Sequence, residues 1–190
     1  MSSNRIPDYD LEGVRVVSSR QELRAMADPL RSSILDLVLE RAATVAELAT
    51  AVGRPKSTVA HHVGVLVAAD MLKIVRTRRV RAIDERFYGR TARIFYVGKI
   101  QPDEVTIVPN VLTDAAAESG PAYEGDDLRA ILRYARIPRR SAAEFWDRVF
   151  ALVNDFSQLP RAGGTVYGFV AGLYPTEHPT LPEPDGVGPT

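Results

Sequence analysis

Apolar residues in the first hundred positions recur at helical spacing, and each helical stretch begins at a capping residue. Ser19 and Thr44 each precede a short helix and are followed three residues later by glutamate, the capping-box spacing. Asp28 followed by Pro29 predicts the start of another helix, because proline is tolerated at the first helical position. That helix places one stripe of apolar side chains inward, namely Leu30, Ile34, Leu37 and Val38. Three short helices are therefore predicted before residue 53.

A fourth helix is predicted to begin near Lys56, three residues after Gly53 ends the third. Two short helices joined by a tight turn that contains glycine are typical of a helix-turn-helix. Apolar spacing predicts an inner face formed by Val59, Val63 and Leu66. The outer face then holds Lys56, Ser57, Ala60, His61 and Gly64.

After Asp70 the apolar period changes from helical to two. Residues 71–77 and 81–88 alternate and are joined by a short basic connection, which predicts a β-hairpin directly after the helix-turn-helix. A hairpin in this position is called a wing. Residues 91–97 are predicted to form a third strand or a return segment beneath the wing.

The second half of the chain has a weaker pattern. A helix is predicted from residue 111 until Gly120-Pro121 ends it, and another over residues 126–137. Ser141 is predicted to cap a longer helix with a strong apolar stripe. Residues 165–174 are predicted to form a strand broken by glycines.

These elements predict an α+β fold, mainly helical, with a winged helix-turn-helix at the N-terminus and a helical and strand extension after it. The predicted division is a loose lead-in over 1–18, a DNA-binding domain over 19–99, a dimerisation or effector region over 100–174, and a proline-rich tail over 175–190.

Composition narrows the class of protein. The chain has 190 residues, 45% of them hydrophobic and 25% charged, the balance of a globular protein. Absence of cysteine excludes disulfides and thiolate chemistry. We expect a cytoplasmic protein without a membrane partner, because there is no secretory signal and no apolar run of about 18 residues.

A net charge of zero conceals a segregation of charge. Residues 73–99 hold nine basic side chains against two acids, a net charge of +7, whereas residues 100–190 come to −6. Such a local cationic segment suggests contact with a polyanion. The basic residues are 21 Arg and three Lys, which suits phosphate recognition, although a GC-rich genome also favours arginine codons.

Three segments carry a resemblance to a known family. Residues 27–35 (ADPLRSSIL), 44–53 (TVAELATAVG) and 56–66 (KSTVAHHVGVL) stand in the order and spacing of the winged helix-turn-helix of ArsR-type bacterial regulators. Residues 85–95 (ERFYGRTARIF) resemble a branch with an additional C-terminal region. The resemblance implies a homodimer that represses transcription and leaves DNA when an inducer binds. Metal-sensing members use cysteines, or His and Asp, so thiol-based sensing is excluded here.

Ten residues are predicted to contact double-stranded DNA. The start of the fourth helix is expected to meet base edges and phosphates in the major groove, and the wing to follow the backbone or the minor groove. The predicted set is Arg54, Lys56, Ser57, Thr58, His61, His62, Arg76, Arg78, Arg79 and Arg81. Alternatively, Thr58 caps its helix, His62 packs against the core, and the arginines form a solvated hairpin edge.

No metal, cofactor or catalytic site is predicted. His61 and His62 are adjacent on a helix and point about 100° apart, so they cannot chelate one ion by themselves. Phosphate-binding glycine loops, nucleophile elbows and zinc-binding helix motifs do not occur in the sequence. We therefore do not expect an enzyme.

The helix after Ser141 is predicted to mediate dimerisation through its apolar stripe. That stripe consists of Phe145, Val149, Leu152, Val153 and Phe156. Its alternatives are an ordinary core helix and a pocket for an apolar effector, whose identity the residues do not indicate.

The sequence therefore predicts a homodimeric, sequence-specific transcriptional regulator, with a near-palindromic duplex operator and a possible small-molecule effector as its partners. Two other functions stay open. One is a winged-helix module that docks protein through its arginines, and the other is an architectural DNA binder without an effector.

Overall fold

Two units make up the chain, one formed by Met1–Asn110 with Ser157–Thr165 and the other by Val111–Phe156 with Val166–Thr190. The structure, a computed structural model, describes residues 7–80, 83–98, 107–108 and 110–181. Along the N-terminal unit the elements are β1 (Glu12–Val17), α1 (Arg20–Met26), α2 (Pro29–Leu37), α3 (Val45–Val52), α4 (Lys56–Ala68), β2 (Leu72–Val80), β3 (Ile83–Arg90) and β4 (Ala92–Val97).

Local capping explains where the first helices begin and end. Ser19 and Thr44 both form complete capping boxes with the glutamates three residues on, at the starts of α1 and α3. Asp28 accepts a hydrogen bond from the Arg31 backbone N–H at the start of α2. Gly53 ends α3 in the left-handed region at φ 62°, where glycine has no steric cost. The predicted caps are confirmed.

One apolar core lies among α1–α4 and the start of β2. Ile34 from α2, Leu48 from α3 and Leu66 from α4 are fully buried there. Val59 and Val63 are buried beside Leu66, so the predicted inner face of α4 is confirmed. This packing orients the outer face of α4 away from the core.

Two pairs of strands complete the unit. β2 and β3 form the predicted antiparallel hairpin, with an irregularity in register between Ile74 and Arg76. β4 is a strand, as one of the two predictions for residues 91–97 held, but it pairs in parallel with β1 rather than with the hairpin. We refer to β2 and β3 together as the wing.

Residues 7–17 are not a loose lead-in, so that prediction for 1–18 is wrong over the described part. Tyr9 is buried, donates its hydroxyl to the Val38 carbonyl and accepts the Arg90 N–H at 2.9 Å. A Cβ added at Gly89 would lie 2.6 Å from the Tyr9 ring, so glycine is required for this close approach. All these partners are distant in sequence, which is why local patterns did not reveal them.

The C-terminal unit contains α5 (Val111–Glu118), α6 (Gly120–Glu124) and α7 (Arg139–Gln158), the last of which extends to the unit boundary. Gly120-Pro121 begins α6 instead of ending a helix, because proline needs no hydrogen bond at a first turn. α7 begins at Arg139, two residues before the predicted cap Ser141.

Two further predictions for this unit are wrong. Residues 126–137 are not helical; Ile131 is 84% exposed, so a helix there would bury no apolar face to stabilise it. Residues 165–174 have no strand partner among the described residues and form no sheet. None of the described residues in the C-terminal unit is buried.

Candidate nucleic-acid interface

The start of α4 presents exposed polar side chains and an uncapped helix end. Its N-cap is Pro55, and no side chain hydrogen-bonds to the first turn. The backbone N–H groups of that turn have no partner inside the helix and point along a positive dipole, which favours an anion. Lys56 and Ser57 are exposed beside this end, and Thr58 is half-buried without capping the helix.

His61 and His62 have different surroundings although they are adjacent. His61 is exposed on the outer face of α4. His62 is half-buried, and its Nδ1 lies 3.6 Å from Oδ1 of Asp28 and 3.4 Å from Nη1 of Arg31. These contacts join α4 to the beginning of α2. The geometry therefore agrees with the internal packing alternative for His62.

Two wing arginines that the sequence left unbalanced are paired with acids. Nη1 of Arg76 lies 2.6 Å from Oδ2 of Asp8, and Nη2 of Arg78 lies 2.7 Å from Oε2 of Glu85. The Arg76 guanidinium also lies 4.5 Å from the centre of the Phe87 ring, in cation–π geometry. Asp8 could not be predicted as a partner because it precedes Arg76 by many residues.

Burial alone would raise the pKa of Asp8, but hydrogen bonds from the Ala42 N–H and from Arg76 hold that pKa below its ordinary value. Asp8 accepts the Ala42 N–H at 2.7 Å through its other oxygen. This carboxylate therefore bridges the wing to the end of the helical bundle, and it stays charged at neutral pH.

The opposite face of the wing carries cations without such partners. Register places Arg79 opposite Asp84 and Thr77 opposite Arg86, so these four residues share one face of the hairpin. Arg79 and Arg86 are exposed and form no ion pair with another described residue, and the same holds for Arg54, Lys56 and Lys73. Lys73 and Arg86 were missing from the predicted set, although the period-two register of the hairpin was the signal for Arg86.

Arg90 belongs to the basic segment but lies inside the unit. Its Nε donates to the Ala92 carbonyl at 2.9 Å, and its guanidinium lies 4.6 Å from the centre of the Phe95 ring. Desolvation lowers its pKa to about 10, so the side chain is still charged at neutral pH. Arg90 is thus a structural cation, not a surface for a polyanion. Arg81, a predicted DNA contact, lies outside the described residues.

α7 keeps the predicted dimerisation stripe at the surface. Phe145 and Leu152 are exposed, and Val149, Val153 and Phe156 are half-buried. Phe156 has its ring centre 5.4 Å from that of Phe169. No α7 side chain is buried within the described structure, so α7 is not an ordinary core helix of a single chain.

Two open grooves adjoin the turn between α3 and α4. The larger, about 760 Å³, is lined by α2, the turn and the side of α4 that carries Thr58 and His62. Among the described residues, no cluster of three or more His, Asp or Glu could hold a metal ion. In that same part of the chain, no helix is long and apolar enough to span a membrane.

Comparison with known proteins identifies the central domain. A family model described as a helix-turn-helix domain matches residues 26–75, from the end of α1 into β2. With the hairpin that follows α4, the chain contains a winged helix-turn-helix in an α+β, mainly helical fold. No curated protein matches the chain by sequence.

Two solved structures are similar to part of the chain. One is a homodimeric winged helix-turn-helix DNA-binding domain from Mycobacterium bovis, described as a possible ArsR-family transcriptional regulator. It is 19% identical, with a TM-score of 0.33, and the match covers 54% of this chain and 81% of that one. The other, a possible transcriptional regulator for arsenical resistance, is also 19% identical, with a TM-score of 0.32, 59% of this chain and 100% of that one covered.

Proposed function

We propose that this protein is a sequence-specific, double-stranded DNA-binding transcriptional regulator of the ArsR type that acts as a homodimer in the cytoplasm. The observation that carries the proposal is the winged helix-turn-helix with an uncapped, lysine-bearing start of α4. The order of the three ArsR-like segments supports the choice of family, and the absence of cysteine limits it to members without thiol sensing.

In this proposal the two parts of the interface have different roles. Lys56, Ser57 and His61 on α4 read base edges in the major groove, with Arg54 and Thr58 as phosphate contacts next to them. Arg79 and Arg86 on the wing contact phosphates or the minor groove, since they are exposed without an acidic partner within the described chain. Arg76 and Arg78 orient the wing through Asp8 and Glu85, and His62 orients α4.

Dimerisation through the α7 stripe is the second part of the proposal. A homodimer presents two copies of α4 to successive major grooves, which requires a near-palindromic operator about one helical turn in half-site spacing. Repression then follows from occupation of a promoter, and a small-molecule inducer would reverse it.

Selection from a random duplex library, followed by titration of the enriched site at several salt concentrations, tests the proposal. We expect a near-palindromic site bound well above random DNA. Absence of any enriched site would contradict sequence-specific binding and favour a protein-docking winged helix. Equal, salt-sensitive binding to all duplexes would favour an architectural binder.

Matched variants separate the two roles. Arg79→Ala with Arg86→Ala should weaken binding to all duplexes and reduce the salt slope by about two, close to one for each lost phosphate contact. Lys56→Ala or His61→Ala should instead reduce the preference for the selected site. Arg129→Ala with Arg133→Ala removes the same charge from an exposed stretch of the C-terminal unit and should change neither quantity. An altered sequence preference with an unchanged salt slope in the wing variant would reverse the two assignments.

A further inference from the structure

Residues 166–174 (VYGFVAGLY), here called the apolar segment, are extended but have no partner strand. They form no backbone hydrogen bond with another described residue. Val166 is 94% exposed, and Tyr167 is also largely exposed. Valine and aromatic residues in period-two alternation favour a strand, so the composition and the lack of pairing conflict within a single chain.

The apolar segment is held in place by its own unit on one side only. The Phe169 ring packs on Phe156 of α7, with centres 5.4 Å apart. Gly172 lies against Leu112 of α5, and a Cβ added there would come within 3.3 Å of that side chain. The backbone edge is thereby presented in an ordered, extended form.

Exposed apolar surface in this unit is large enough for a stable dimer. Sixteen of its described large apolar side chains are at least 41% exposed. At roughly 150 Å² for each large side chain, they leave on the order of 1,500 Å² uncovered in each copy. A standard interface needs only about 800 Å² from each partner.

Charge also makes the apolar segment compatible with a second copy of itself. It contains no charged residue, whereas exposed strand edges are ordinarily protected by charges that repel a second edge. The nearest charges along the chain, Arg161 and Glu177, stand eight positions before and eight after Phe169. Antiparallel pairing about Phe169 therefore brings opposite charges, not like charges, to the two ends of the ribbon.

We propose that the apolar segments of two copies pair as an antiparallel β-ribbon centred on Phe169. This rests on the proposed homodimer and names the second contact within it. A two-fold axis through Phe169 sets Tyr167 opposite Ala171 of the second copy, and the ladder satisfies the unpaired backbone groups of both segments. Proline at 175 lacks an N–H and ends the ladder.

Cysteine cross-linking tests this register in the full chain, which has no native cysteine. Tyr167→Cys and Ala171→Cys are made separately, then mixed, unfolded, refolded together and oxidised. Opposite residues lie within disulfide distance, but either variant with itself is offset by four residues, about 13 Å along the strand. We expect a cross-linked dimer from the mixture and little from either variant alone. Ile131→Cys, also exposed in this unit, is the control and should stay reduced.

Equal cross-linking by Tyr167→Cys alone, or cross-linking as efficient at Ile131→Cys, would overturn the ribbon. No cross-link in a mixture that light scattering shows to be dimeric would also overturn it. Val170→Lys tests the same contact without cysteine and should weaken dimerisation at least tenfold, whereas Tyr123→Lys on α6 should not. A cross-linked dimer that selects no DNA site would contradict the proposed function alone, while a selected palindrome with no cross-link would contradict the ribbon alone.

Discussion

The two units of this chain bury their apolar residues to opposite extents. In the N-terminal unit, residues from α1–α4 and the first strands converge on one core in which Leu66 is fully buried. In the C-terminal unit, α7 has an equally regular apolar stripe, but Leu152 on that stripe is 61% exposed. Both helices are amphipathic in sequence, so periodicity alone does not distinguish a helix that packs within its chain from one that awaits a partner.

Their polar contacts differ in the same way. N-terminal contacts link distant parts of the chain, such as Asp8 with Arg76 and Tyr9 with Arg90. C-terminal contacts printed by the geometry are mostly local, such as Arg140 with Glu144 one helical turn later. Long-range contacts define a unit that is stable alone, whereas local pairs contribute only tenths of a kcal/mol each, about 0.3–0.5 for a helix pair.

The largest expected difference between the units is in leucine truncation. Leu66→Ala should lower the free energy of unfolding by about 3 kcal/mol, because it opens a cavity in a closed core. Leu152→Ala should change it by less than about 1 kcal/mol in dilute, monomeric protein, because the side chain is already exposed. Urea unfolding followed by circular dichroism measures both. Equal losses under these conditions would contradict the contrast between the units.

Capping serines and threonines should give a smaller difference. Thr44→Ala removes the side-chain half of a complete capping box and should cost about 1 kcal/mol. Ser141→Ala is the matched control, since Ser141 lies inside α7 and not at its cap, and it should change stability by less than about 0.5 kcal/mol. Thermal unfolding of the two variants compares them, and a larger loss at Ser141 would mean that α7 begins there.

The smallest expected effect concerns pH. The Thr44 backbone N–H holds the pKa of Glu47 below its ordinary value, and hydrogen bonds from Ala42 and Arg76 outweigh burial to lower that of Asp8. A lowered folded-state pKa means that the stabilisation is complete above the ordinary carboxyl pKa of about 4 and is lost as the pH falls through the folded value.

We therefore expect the melting temperature to fall as the pH drops below about 4.5, and to fall less steeply in Asp8→Asn, which has lost one of these groups. Asp147→Asn on exposed α7 is the control and should keep the wild-type slope. Unchanged slopes in both variants would show that the Asp8 bridge does not contribute to the pH dependence.

Prediction of the candidate site succeeded where the signals were local. Exposure of Lys56, Ser57 and His61 follows from the helical period around Val59 and Val63, which is a property of the segment itself. Prediction failed where charge balance depended on distant residues. Arg76 was counted as unbalanced because Asp8 is far away in sequence, and Arg90 was counted as surface charge although the fold buries it.

What the sequence determined by itself is the part of the fold governed by residues within a few positions of one another. Capping boxes, the Gly53 turn and the alternation of the wing specify α1–α4, β2 and β3, because a capped helical turn or a hairpin closes over short loops. Only the tertiary structure decided the parallel pairing of β1 with β4, the burial of Tyr9 and the exposure of α7. Each of these depends on groups that meet after long loops have closed or, for α7, on the absence of any covering surface within the described chain.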